Sequence, residues 1–378
     1  MKKNILVLAI STAFAIPAAM ADVAIGPVAL YGTLSSAVEV IAVDNVNLRI
    51  ARTAESQTRL ADQTSKLGFK AKYDLGSDLY ALAQIESRLF LGSNGDSTDN
   101  KAEIGSRNTF IGVGSERLGV LRLGRYDNAY KLALKGISPT LYGTMNDASS
   151  DLGSKQILNR LGSRQGDMVA YESPSWSGIS ANASYNMGKD AMSNATDLTP
   201  QVALGLAYKD NAFHIGVGYT SIAHASWNLA GSSGAKAVNN SGEQKLTAVQ
   251  FGGEYRMGAF TLGAVVERSA SNHSGTALAA FDQYQNSYAL AGGYKNGPWG
   301  MQARYARASD VQGSAVTETG AQQFALATTY QIHKYVTAIG SITRVSNDRN
   351  ANFTSASGFA LDKGNSVNQL ALGLAVSF

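Results

Sequence analysis

The sequence predicts an all-β fold, a closed transmembrane barrel of sixteen antiparallel strands, and three observations carry that expectation. Side chains alternate with a period of two, connections alternate between short and long, and an export-type segment opens the chain. The 378 residues include 39 Gly, 17 Tyr, 6 Pro and no Cys, and 16% are charged. Without Cys there is no disulfide scaffold, thiolate metal site or Cys nucleophile. A formal net charge of +4 lacks the concentrated basic excess of a nucleic-acid binder. Beyond residue 21 no apolar run approaches the ~20 residues that a spanning helix needs. Any crossing of a membrane must therefore use strands.

Residues 1–21 read as a cleaved signal peptide. Lys2 and Lys3 give a positive start, Ile5 to Ile16 is mostly apolar, Pro17 breaks the run, and Ala19-Met20-Ala21 fits the small-x-small cleavage rule. Residues 22–378 are then expected to form a single domain outside the cytoplasm.

Period two begins at Val28. The even positions from Val28 to Val40 are mainly aliphatic, while Tyr31, Thr33, Ser35 and Glu39 lie on the other face. Next, Leu67, Phe69, Ala71 and Tyr73 alternate with Lys66, Gly68, Lys70 and Lys72. At the C-terminus Leu370, Leu372, Leu374, Val376 and Phe378 alternate with Gln369, Ala371, Gly373, Ala375 and Ser377. One face of each segment is apolar and the other is polar or small, which is strand periodicity.

Short turns are expected at 74–77, 115–118, 174–178, 209–211, 256–259, 295–298 and 333–334. Between them lie long polar connections near 42–62, 90–106, 126–163, 188–201, 224–244, 271–286, 309–321 and 346–365. Seven short and eight long connections join sixteen strands into an up-and-down meander. The one place for a turn or two of helix is inside 126–163.

A β-sandwich would also alternate, but it does not sort its loops by length. An exported β-chain can span a bilayer only as a closed barrel, because every backbone group there needs a partner. Leu, Val and Phe are expected to face lipid, with Tyr31, Tyr73, Tyr171 and Phe378 in an aromatic girdle near the strand ends. A sixteen-stranded barrel is too wide for side chains to fill and encloses an aqueous channel.

The chain resembles the general diffusion porins of the Gram-negative outer membrane, in their beta-proteobacterial, neisserial-like branch. The matching stretches are Leu30-Tyr31-Gly32, Lys66-Leu67-Gly68-Phe69-Lys70 with Asp74-Leu75-Gly76, and Gln84-Ile85-Glu86. They continue with Arg107, Phe110-Ile111-Gly112-Val113, Leu123-Gly124-Arg125, Asn159-Arg160 with Arg164, Tyr171-Glu172-Ser173-Pro174 and Phe378. The resemblance implies a homotrimer of sixteen-stranded barrels, with short periplasmic turns and long extracellular loops. It also implies a third loop, here 126–163, folded into each lumen as a constriction, and a terminal aromatic residue, Phe378, read by the barrel-assembly machinery. Outer-membrane lipid and lipopolysaccharide would surround it, and small hydrophilic solutes and anions would pass through.

By parity Lys66, Lys70 and Lys72 face inward on the second strand, Arg107 on the fourth, Arg122 on the fifth and Arg164 on the sixth. In the family such a basic wall opposes carboxylates on the infolded loop, for which Asp147 and Asp151 are the candidates. A lumen lined by cations lowers the entry barrier for anions, an effect that salt screens. Thr33, Ala170 and Ala375-Val376 depart from the family by lacking basic residues, which weakens the expected anion preference. Glu86 and Arg88, two apart on one strand face, are expected to neutralise each other.

No catalytic role, cofactor or metal is expected. His214, His224, His273 and His333 are far apart and read as solvated surface, and no Gly-x-Ser-x-Gly elbow or phosphate loop occurs. Asp44 and Asp96 are expected in surface loops, as candidates for divalent ions or lipopolysaccharide bridges. Two alternatives remain within the barrel class. One is a substrate-specific or cation-preferring porin, and the other is an outer-membrane phospholipase, for which His214 is the candidate base on the lipid-facing wall.

Overall fold

The computed structural model describes residues 23–25, 27–44, 56–92, 103–137, 157–188, 199–223, 225–226, 229–231, 236–237, 243–274, 282–354 and 361–378. The signal segment, Asp96, Asp147, Asp151 and His224 lie outside the described residues. Sixteen antiparallel strands close into a barrel. They are β1 (Val28–Asp44), β2 in two pieces (Gln57–Asp62 and Lys66–Gly76), β3 (Leu79–Arg88), β4 (Thr109–Ser115), β5 (Gly119–Asp127), β6 (Arg164–Glu172), β7 (Ile179–Asn186) and β8 (Gln201–Lys209). The chain continues through β9 (Phe213–Ala223), β10 (Glu243–Met257), β11 (Phe260–Ser274), β12 (Gln283–Asn296), β13 (Trp299–Ala308), β14 (Ala321–His333), β15 (Val336–Asn347) and β16 (Ser366–Ser377). Val23–Ile25 folds back antiparallel on the start of β1.

Each strand pairs with the next in sequence, and β16 returns to β1 in a register running from Thr33 opposite Ser377 to Asp44 opposite Ser366. The terminal residue completes the seam. Gly32 and Phe378 exchange N–H···O bonds of 2.9 and 3.0 Å, and the Phe378 ring lies over Gly32, where a Cβ would collide with it. All seven short connections are present at or beside their expected places, the first at 77–78 rather than 74–77. The expected loops 42–62 and 271–286 are shorter than anticipated, since β1 runs to Asp44, β2 resumes at Gln57, and β11 and β12 reach Ser274 and Gln283.

The two faces separate as the alternation requires. On β16, Leu370, Leu372, Leu374 and Val376 are exposed on the outside while Gln369, Ala371, Ala375 and Ser377 are buried inside. Aromatic pairs Phe213–Tyr255, Phe260–Tyr294 and Trp299–Tyr330, with ring centroids 4.9, 4.9 and 4.7 Å apart, form a girdle beside the short turns. Tyr73 and Tyr171 are exposed. Tyr31 is a correction, because it is only 7% exposed and turns into the lumen, where its hydroxyl finds a carboxylate. A buried phenol needs such a partner, which lipid would not offer. Leu372, 61% exposed near the middle of β16, gives a direct check on the outer face. Leu372→Arg is expected to cost about 2–4 kcal/mol in folding into bilayers, read from a denaturant titration.

The third long connection turns inward as soon as β5 ends. Asn128 caps a short helix, α1 (Ala129–Ala133), its side-chain oxygen accepting from the Lys131 N–H at 3.0 Å. This is the helical turn allowed for within 126–163. α1 rests on β7, β8 and β9, over inward glycines of β8 and β9. A Cβ on Gly205 would sit 2.7 Å from the Ala129 carbonyl oxygen, and one on Gly218 would sit 3.0 Å from that of Tyr130. Gly216 would collide with the Ala133 carbonyl. Glycine weakens a strand, but here it admits a second backbone to the sheet. Leu134, Ile137, Ile157 and Leu158 from this connection pack with Ile41, Val265, Val345, Phe353 and Val367, so the apolar core lies in the lumen.

Candidate functional site: the basic wall of the lumen

Six described basic side chains expected on the wall reach the inner face, but their surroundings divide them. Lys66 follows a break in β2, where Asp62 accepts N–H bonds from Thr64 and Ser65 and Thr64 takes a positive φ of 69°. Its side chain is half-buried and forms no hydrogen bond or ion pair among the described residues. Lys70, two inward rows nearer the short turns, holds its Nζ 5.5 Å from the Tyr31 ring centre. Lys72 stands at the short-turn rim, exposed, with Nζ 3.4 Å from Glu116 and 3.7 Å above the Tyr80 ring. Its geometry is that of a rim charge.

Arg107 reaches the lumen by a route that parity did not give. It lies in a bend before β4, not on the strand, and its N–H donates to the Glu86 carbonyl at 2.9 Å. Its Nε donates to Glu86 Oε1 at 2.6 Å while the Tyr31 hydroxyl donates to Oε2 at 3.0 Å. Glu86 therefore pairs with Arg107 rather than Arg88, which correlates with Arg88 lying 3.8 Å from Asp62 instead. The expected mutual neutralisation of Glu86 and Arg88 is corrected accordingly: cross-strand partners were nearer than same-face neighbours.

Arg164 donates from Nε to Asn108 Oδ1 at 2.5 Å and lies 3.3 Å from Asp127, which also meets Lys131 at 2.9 Å. Arg122 lies between the Phe110 and Tyr126 rings, 5.3 and 4.8 Å from their centres, and pairs with Glu172 at 2.9 Å. Tyr126 donates to the same carboxylate at 2.6 Å. Asn108, Asp127 and Lys131 were not singled out from the sequence. Asp127 had been placed in the third loop, and its position as the last residue of β5 is what turns it inward. Higher on the wall, Arg59 and Gln63 donate to the fully buried Glu39 at 2.8 and 2.6 Å.

Opposite in chain order, β12 to β16 present Ser287, Gln302, Gln323, Ser341, Thr343 and Gln369 inward, with Arg304 among them. Basic side chains thus gather on β2 to β6, while β10 and β11 carry the buried acids Glu254 and Glu267. A family model described as Gram-negative porin matches residues 6–350. The chain belongs to the Gram-negative porin family.

This porin is similar to the major outer membrane protein P.IB of Neisseria meningitidis serogroup B, 31% identical over 222 residues, or 58% of each chain. Against the P.IA protein of serogroup C it is 34% identical over 132 residues, covering 34% of the porin and 30% of the relative. The porin thus spans about 58% of the length of the P.IB relative it matches. In fold it is similar to an anion-selective porin from Comamonas acidovorans, with a TM-score of 0.72, 18% identity and coverage of 93% and 99%. A trimer form of OmpT from Vibrio cholerae gives a TM-score of 0.66 at 13% identity, with coverage of 93% and 99%. The chain is accordingly an outer-membrane β-barrel.

The remaining expectations meet the porin as follows. His214 is not solvated surface: it is 4% exposed, faces the lumen and hydrogen-bonds the Gly136 backbone. It therefore offers no base to the lipid-facing wall. His333 is exposed beside Tyr335 at the short-turn end. Asp44 is the last residue of β1, not a loop residue, and pairs with Arg344 at 3.0 Å. No cluster of potential metal ligands occurs among the described residues.

Proposed function

We propose that the porin is a passive diffusion channel for small hydrophilic solutes and ions, non-enzymatic and weakly anion-selective. The observation that carries this is the inward basic run on β2 to β6, in which Lys66 keeps its charge unpaired among the described residues. A wet passage lined mainly by one sign of charge concentrates the opposite ion. Arg107, Arg122 and Arg164 are each matched by a carboxylate, so they shape the wall and add less net field than Lys66. The named selectivity of the Comamonas relative agrees in sign. Small polar solutes pass because displacing oriented water from this charged surface disfavours apolar ones.

The same reading takes 1–21 as the cleaved leader, the third connection as the constriction with Asp147 and Asp151 as its carboxylates, and the working form as a homotrimer in lipopolysaccharide-containing membrane. Phe378, seated on Gly32 at the closing seam, is the residue offered to the barrel-assembly machinery. The purified protein, reconstituted in planar bilayers under a salt gradient, is expected to give stepwise currents whose reversal potential has the anion sign. Silent bilayers would overturn the channel reading, and a cation-signed potential would overturn the selectivity.

A further inference from the structure

Both described limbs of the third connection converge on one wall carboxylate. Glu267, on the inner face of β11 and 4% exposed, accepts from the Tyr130 hydroxyl at 2.7 Å and from the Asn159 N–H at 2.5 Å, both at Oε2. Ser269 donates to its other oxygen at 3.1 Å. Tyr130 belongs to α1 on the outgoing limb and Asn159 to the returning limb, so one side chain fastens the two together and to the barrel. Gln250 adds a bond to the Tyr130 carbonyl.

The next residue carries the attachment to the long-loop surface. Arg160 donates from one terminal nitrogen to the carbonyls of Leu229 and Gly231, each at 3.0 Å, and from the other to Gln285 Oε1 at 2.5 Å. Its guanidinium also lies 5.2 Å from the Phe353 ring centre. Leu229 to Gly231 belong to the fifth long connection and Phe353 to the eighth. Those two are joined directly, with Asn352 N–H donating to the Ala230 carbonyl at 3.0 Å. A planar fork with five donors suits such simultaneous contacts, which a lysine could not reproduce.

We propose that Glu267 and Arg160 form a clasp that sets the position of the third connection and makes it depend on the fifth and eighth extracellular loops. Both are positioning residues: they act on permeation through the loop they hold. A load placed on the outer surface of the eighth loop is therefore felt in the lumen. The inference rests on the channel reading above.

Single-channel recording of the full-length porin tests it, with correct folding checked by heat-modifiable gel mobility. Arg160→Ala and Glu267→Ala are expected to raise the occupancy of altered-conductance substates about tenfold, the scale of one lost charge-assisted hydrogen bond. Glu267→Gln, which keeps an acceptor for both limbs, stays near wild type. The chain has no Cys, so Arg349→Cys, at an exposed position of the eighth loop, can be biotinylated and loaded with streptavidin. Loading shifts substate occupancy when Arg160 is present and leaves it unchanged in Arg160→Ala. Should the Ala variants not fold, Arg160→Lys and Tyr130→Phe replace them, with a smaller shift in the same direction. Folded variants with wild-type conductance and substates, or a streptavidin effect independent of Arg160, would overturn the clasp. A wild-type barrel without current would overturn the channel reading itself, and the clasp with it.

Discussion

Replacing Lys66 and Lys70 together by Glu is expected to carry the reversal potential in a salt gradient from the anion toward the cation side. These two face the lumen on one strand, so one double change reverses two inward charges of the wall. Arg107→Glu is a poorer choice, because it would face Glu86 at the site where Arg107 now donates at 2.6 Å. Like charges so placed repel, and any shift in selectivity would be mixed with rearrangement. The size of the shift should depend on salt. The Debye length is about 10 Å at 0.1 M and about 3 Å at 1 M, so the two wall charges reach across the lumen only in dilute electrolyte. A shift as large at 1 M as at 0.1 M would assign selectivity to some narrower, water-excluding site.

Glu86→Ala is expected to be among the most destabilising single changes on the inner wall. It takes the carboxylate from Arg107, whose side chain is 7% exposed, and the acceptor from the Tyr31 hydroxyl. Breaking a buried ion pair on one side typically costs about 3–5 kcal/mol, and lumen water reaching Arg107 would reduce that. Glu86→Gln separates the two contributions, since it keeps an acceptor for Tyr31 but removes the charge. The midpoint of unfolding, followed by gel mobility, should fall most for Ala and less for Gln. Equal midpoints for all three proteins would mean that Tyr31, Glu86 and Arg107 are held by the barrel and contribute nothing to it.

The strand count, the closing seam and the lipid-facing residues were legible because period two and the sorting of loop lengths are properties of the chain itself. β16 shows this best: four exposed outward positions and the four buried inward ones beside them were assigned from alternation alone. Parity failed where the chain leaves the pleat. Arg107 lies in a bend, so its inward direction came from the backbone hydrogen bond to Glu86 and not from strand phase. Tyr31 was misplaced because an aromatic near a strand end satisfies both a girdle and a buried phenol, and only its partner on β3 decides. The pairings of Asp127, Glu172 and Glu39 depend on cross-strand register, which a single sequence does not encode at one-residue precision. The glycines under α1 read as ordinary barrel glycines until the loop that lies on them is seen.

The central claim is that alternate side chains of each strand face lipid and a watery lumen. A cysteine scan along β8, from Gln201 to Lys209, tests it most directly, each single Cys carrying a fluorophore in bilayers made with bromine-quenched lipid. Val202, Leu204, Leu206 and Tyr208 are exposed on the outer face, with Ala203 and Ala207 on the inner one, Gly205 being kept because α1 lies on it. Strong quenching is expected at the first set and weak quenching at the second. Quenching that rises and falls smoothly with depth, or that is strongest at 203 and 207, would contradict the account.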